Sequence, residues 1–243
     1  MTYCVALRLD RGLVFAADTR TSAGNDNVGH YRKLHYWRRI GDRVIIMAAA
    51  GNLAITQSVI SIVNEQLDEL SGASESLFTV PSLYRAARLV GSALREVRQL
   101  DGPSLEAAAA GFNASFLLGG QIGSESPRLF HIYPEGNFIE ATNDTPYFQI
   151  GEHKYGKPII DRVAQPNMRL GEAAKLVLLS FDSTLRSNLS VGLPIDLVIY
   201  ERDSLDLRRE KRIAEEDEYF RKLSSAWSEA LRSAFAKIEE FKL

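Results

Sequence analysis

Along the first fifty residues the apolar positions come in short runs broken by turn residues, which predicts strands. Tyr3 to Leu9 is rich in strand-formers, Asp10 to Gly12 is a turn signal, and Leu13 to Ala17 is a second buried strand ending at Asp18. Residues 22–27 read as a loop by composition, and Tyr31 to Trp37 and Arg43 to Ala49 as two further strands. The period then changes to that of a helix. Ile55, Val59, Ile62, Val63, Gln66 and Leu70 share one face, and Leu83, Ala87, Val90, Leu94 and Val97 share another, with Pro81 where a first helical turn accepts it. Strands return at Ala114 to Gly119, Arg128 to Tyr133, Asn137 to Ala141 and Tyr147 to Ile150. A short helix is expected from Tyr155, a longer amphipathic one over Ala173 to Ser187, and a last strand over Ile195 to Glu201.

Strand block, helices, strand block, helices is an α+β order, in which helices cover stacked sheets. Residues 1–201 read as one domain and residues 202–243 as a helical extension. The extension carries equal numbers of basic and acidic side chains, the mark of a solvated face. Its other face is apolar, with Phe220, Leu223, Trp227, Leu231, Phe235 and Ile238. Such a helix either packs on its own domain or faces a partner, and both readings stand on the pattern alone.

Composition narrows the function more than the fold. A formal net charge of −2 exerts no global pull toward nucleic acid or an anionic membrane. The one cysteine, Cys4, excludes a disulfide within the chain and a zinc site built on several thiolates, and fits the reducing cytoplasm. No apolar run reaches the ~18–20 residues of a membrane helix. Arg8, Asp10 and Arg11 interrupt the stretch where the apolar core of a signal peptide would run, so the mature N-terminus is expected at or next to residue 1. His30, His35, His131 and His153 form no metal-binding pair, and there is neither a glycine-rich phosphate loop nor a GxSxG elbow. No metal and no organic cofactor is expected.

The chemistry that remains lies at the start of the chain. Removal of Met1, common before a small residue, leaves Thr2 with both a hydroxyl and a free α-amine. A threonine hydroxyl needs an adjacent base to become a nucleophile, and an N-terminal amine with a pKa of roughly 7.7–8.0 serves as one near neutrality. After Thr2 come the element Val14 to Arg20, which reads V-x-A-A-D-x-R, then Lys33, then a small-residue turn from Ile46 to Gly51. In order and spacing this resembles the proteasome β-subunit family. Tyr3 to Ala6, Ala50 to Gln57 and Gly151 to Pro158 most resemble its bacterial Anbu (ancestral beta subunit) group. The resemblance covers roughly residues 2 to 200 and leaves out the C-terminal helix.

The resemblance implies a four-layer αββα sandwich of the N-terminal-nucleophile hydrolase type. It implies Thr2 as nucleophile, Lys33 beside its hydroxyl, Asp18 paired with Lys33, and backbone N–H groups at Ala50 or Gly51 as the oxyanion hole. Arg20 is expected to brace the loop after Asp18. Ser22 is expected on the rim that pairs with a bound peptide, and Ala48 near the first specificity pocket. The family's second serine stands here as Glu152. Its Arg-Asp-x-x-Ser-Gly element runs from Arg186 to Gly192, with Ser187 in place of the aspartate and Ser190 as the serine. The function implied is cleavage of peptide or related amide bonds through an acyl-enzyme on Thr2. A catalytically silent assembly subunit and an amidohydrolase for a small non-peptide substrate are the alternatives. The partners implied are further copies of the chain, in a closed ring or an open helical assembly.

Overall fold

A computed structural model of the chain describes residues 2–22, 28–68, 75–108 and 111–242. Of the loop expected over residues 22–27, Ser22 belongs to a strand and residues 23–27 lie outside the described residues, as do Leu70 of the first helical stripe and Met1. In chain order the elements are β1 (Tyr3–Leu9), β2 (Gly12–Asp18), β3 (Arg20–Ser22), β4 (Val28–His30), β5 (Leu34–Arg39), β6 (Arg43–Gly51), α1 (Leu53–Glu65) and α2 (Leu83–Ala107). There follow β7 (Ala114–Ile122), β8 (Arg128–Ile132), β9 (Phe138–Glu140), β10 (Tyr147–Gly151), α3 (Lys157–Val163), α4 (Leu170–Ser187), β11 (Ile195–Glu201), β12 (Arg209–Ile213) and α5 (Glu218–Lys237).

The strands form two five-stranded antiparallel sheets, ordered β10-β1-β2-β11-β12 and β5-β6-β7-β8-β9, with β3 and β4 as a separate pair. Three cores hold them in four layers. Helices α1 and α2 pack on the second sheet through residues such as Val59, Val90, Met47 and Phe116. Helices α3 and α4 pack on the first through Ile160, Val177, Val5 and Leu7. Between the sheets lie Ala6, Phe15, Ile46, Leu117 and Tyr200. Because both faces of β1, β2 and β6 are covered, their sequences read as near-continuous apolar runs. The αββα expectation is therefore met.

Residues 202–243 are not all helix. β12 pairs with β11, with Asp196 opposite Arg212, so residues 209–213 complete the first sheet. Its sequence, Arg-Glu-Lys-Arg-Ile, has the charge of an edge strand kept from pairing further. The separate helix begins only at α5, capped by Asp217, whose carboxylate accepts from Phe220 N at 2.9 Å. Its first turns pack on the sandwich through Phe220 and Leu223. Beyond them Leu231 (51% exposed), Phe235 (80%) and Ile238 (71%) stand in solvent. The apolar stripe is thus packed on its own domain in its first half and exposed in its second.

Candidate active site

Thr2 stands one residue before β1, and its backbone is fixed from two sides. Its carbonyl accepts from Glu152 N at 2.6 Å, continuing the pairing of Tyr3 with Gly151 by one step. The next amide, Tyr3 N, donates to Asp18 Oδ1 at 3.0 Å. Gly151 makes this approach feasible: its φ is +79°, and a Cβ there would lie 2.0 Å from the Thr2 carbonyl oxygen.

Asp18 closes β2 and is fully buried. Lys33, 5% exposed, reaches it from just before β5, with Nζ 2.9 Å from Asp18 Oδ1. The same ammonium donates to the carbonyl of Arg20. Gly192 N donates to Asp18 Oδ2 at 3.5 Å. Burial holds the Asp18 carboxyl above its ordinary value, and the Lys33 ammonium with the Tyr3 and Gly192 N–H groups offsets only part of that rise. Burial also pushes the Cys4 thiol up, and its Sγ donates to Ala49 O at 3.4 Å, so this sulfur is held as an inert neutral group.

Thr2, Lys33, Ala50 and Gly51 line one cleft of about 480 Å3, with Ala49 and Gly151 also on its wall. Gly51 ends β6 with φ +117°, where a side chain would meet Asn113 O at 2.3 Å. Asn52 then caps α1, its side chain accepting from Ala54 N at 2.9 Å. The end of β6 and the positive end of α1 therefore meet at the same wall, an arrangement that favours developing negative charge.

Of the other expected residues, Glu152 and Ser190 lie in a linked shell rather than on the cleft wall. Glu152 is buried, and its Oε2 accepts from Asn188 Nδ2 at 2.9 Å. Asn188, at the end of α4, accepts in turn from Ser190 N at 2.9 Å through Oδ1. It is the backbone of Ser190 that joins this shell. Arg20 Nη1 donates to Leu189 O at 2.9 Å, as bracing requires. Ser22 ends β3, but its side chain lies outside the described residues.

Ala48 is fully buried among the residues between the sheets, and its neighbour Ala49 lines the cleft. Successive residues of a strand face opposite sides, so an offset of one moves a side chain from the cleft to the core. Two contributors were missed: Asn188, legible only as a helix C-terminal asparagine, and Thr21, which lines the cleft and whose buried hydroxyl has no hydrogen-bond partner among the described residues.

Comparison with known proteins agrees with this fold. Residues 2–199 match the Proteasome subunit family. The chain is 28% identical over 202 residues to Proteasome subunit beta 2 of Pyrobaculum calidifontis, covering 82% of this chain and 88% of that protein. Among solved structures it resembles an Anbu (Gly-1) mutant from Hyphomicrobium sp. strain MC1, with 66% identity, TM-score 0.93 and all of both chains covered. It also resembles Anbu (ancestral beta-subunit) from Yersinia bercovieri, with 50% identity, TM-score 0.92 and 99% of each chain covered. A third likeness is to the Helical Assembly of the Anbu Complex from Pseudomonas aeruginosa, with 45% identity, TM-score 0.94, and 99% of this chain and 98% of that one covered. The likeness extends past the shared core into α5, and the chain belongs to the proteasome subunit family, standing with its Anbu members in sequence and shape.

Proposed function

We propose that, once Met1 is removed, the protein is a threonine hydrolase that cleaves peptide or related amide bonds. The observation that carries this reading is the meeting of Thr2, Lys33 and the end of β6 in one cleft, above a buried Lys33–Asp18 pair. In the reaction the Thr2 Oγ attacks the carbonyl carbon while its proton passes to the α-amine. The tetrahedral oxyanion is met by backbone N–H groups at Ala50 or Gly51, each worth roughly 2.7–4 kcal/mol in the transition state. The C–N bond then breaks, the leaving amine takes the proton, and an ester remains on Thr2. Water, deprotonated by the same amine, releases the acid and restores the hydroxyl. Lys33 supplies the nearby positive charge that favours the attacking oxygen. We place this activity in the cytoplasm, where the lone thiol of Cys4 is at home.

The intact mass of the purified protein shows whether Met1 is gone. An electrophile whose capture uses both hydroxyl and amine should then label Thr2, and Thr2→Ala should abolish both labelling and hydrolysis while the fold persists. Full hydrolysis by Thr2→Ala would sink the reading. A normally folded and assembled protein that takes up no label would favour the silent assembly subunit.

We further propose that the subunits associate through α5. Its outer half exposes Leu231, Phe235 and Ile238. Near its root, an apolar groove of about 590 Å3 runs between Ile159, Val163, Leu176, Trp227 and Ala230, with the Trp227 Nε1 lacking an acceptor among the described residues. A head-to-tail contact of this kind either closes a ring or opens into a helix. The Anbu complex from Pseudomonas aeruginosa is a helical assembly, which supports the open form here.

A further inference from the structure

We propose that Glu152 is the counter-ion of the α-ammonium that removal of Met1 leaves on Thr2, and that it sets the pH at which this amine becomes a free base. The inference rests on the Thr2 reading above and deepens it. Glu152 is the residue directly opposite Thr2 in the extended register, joined to it by the bond from Glu152 N to the Thr2 carbonyl. It is 6% exposed, and its carboxylate accepts from Asn188 Nδ2 at 2.9 Å and Lys154 N at 3.3 Å. No cation among the described residues forms an ion pair with it. A carboxylate withheld from water and held only by neutral donors is costly unless a positive charge arrives. Processing creates such a charge at the neighbouring residue and nowhere else in the fold.

The other charged and titratable groups around this point are already committed or turned away. Lys33 is bound to Asp18 and to the Arg20 carbonyl. The Cys4 thiol is neutral and bonded to Ala49 O. His153 is exposed, with Nδ1 on the Gly151 carbonyl, and Lys154 is exposed, contributing its backbone N–H. Asn188 in turn fixes the Ser190 amide, two residues before Gly192 N meets Asp18. Glu152 therefore links the backbone of Thr2, through its carbonyl, to the loop that also steadies the Asp18–Lys33 pair. Lys33 and Glu152 act on the amine in opposite senses: the ammonium releases its proton, the carboxylate retains it.

The test reads the amine and does not need turnover. The rate of α-amine acylation on processed protein is followed against pH, by mass, in wild type, Glu152→Gln and Glu152→Asp. An opposite charge within ~4–6 Å shifts a titration by about one unit or more. The midpoint should accordingly fall by about one pH unit or more in Glu152→Gln and stay near wild type in Glu152→Asp. Glu152→Ser, whose small side chain leaves the backbone bond to Thr2 intact, should behave as Glu152→Gln does. The rising limb of electrophile labelling at Thr2 should move to lower pH by the same amount. An unchanged midpoint in folded Glu152→Gln and Glu152→Ser overturns the proposal, and so does a retained Met1. If the midpoint moves but no electrophile ever labels Thr2, the counter-ion stands and the hydrolase reading fails. If labelling is strong and the midpoint does not move, the reverse holds.

Discussion

Asp18 and Lys33 are each nearly sealed from water, and each is the other's charge partner. Removing one leaves a buried, uncompensated charge, at a cost of about 3–5 kcal/mol. Asp18→Ala and Lys33→Ala should each lower stability in urea unfolding by that amount, whereas the double variant should cost well under the sum. Additive losses would show that the pair is not coupled. The histidines make a different demand. Burial lowers the pKa of His131, and burial chiefly lowers that of His35. The unfolded chain then takes up protons near its ordinary pKa of about 6.5 while the folded one resists. Their contribution is complete above that pH and is lost as the pH falls through it. The denaturation midpoint should therefore drop between about pH 7.5 and 5.5, and His131→Phe should flatten the drop. A midpoint that holds steady on acidification in wild type would count against this.

At the scale of elements, Asp217 carries two duties: it caps α5 through Phe220 N and pairs with Lys211 of β12 at 2.6 Å. Asp217→Ala should cost about 1 kcal/mol in thermal or urea unfolding, most of it from the lost cap. If stability is untouched, the root of α5 is held by Phe220 and Leu223 alone. What the sequence made legible follows the same physics. β1, β2 and β6 were readable because both faces are apolar, and the helices α1, α2 and α4 because one face is. β12 was not, since a solvated edge strand carries the same mixed charges as a solvated helix. α2 also runs on through Pro103 to Ala107, past the last residue of its apolar stripe. In the candidate site, motif order already singled out Thr2, Lys33 and Gly51, which meet in one cleft, and Asp18, which pairs with Lys33. That Ala49 lines the cleft was not legible, because order alone does not fix which face of β6 opens to it.

For the whole molecule, the place where α5 leaves the sandwich decides how assembly is tested. A cut near residue 207 would also remove β12 and strip the edge of the first sheet. A stop after Ala230 keeps the packed turns and removes the exposed Leu231, Phe235 and Ile238. Large apolar side chains of this kind are worth roughly 1.5–3 kcal/mol each when buried. The shortened chain should fall to a lower mass in light scattering while its subunit unfolds at nearly the same temperature. A full-size assembly would mean that the outer helix faces no neighbour.

β1 lies between β2 and β10, bonded to both, and its register is fixed along its whole length. Such a strand works as a ruler. It measures from Tyr3 inward, so Thr2 is the first residue past the zero mark, and the chain has no slack with which to slide another residue into that place. A slip of one would turn every buried side chain of β1 to the opposite face. The threonine chemistry proposed above therefore requires processing at a single bond: a residue left in front of Thr2 would keep its amine acylated, and a cut one bond deeper would remove the hydroxyl.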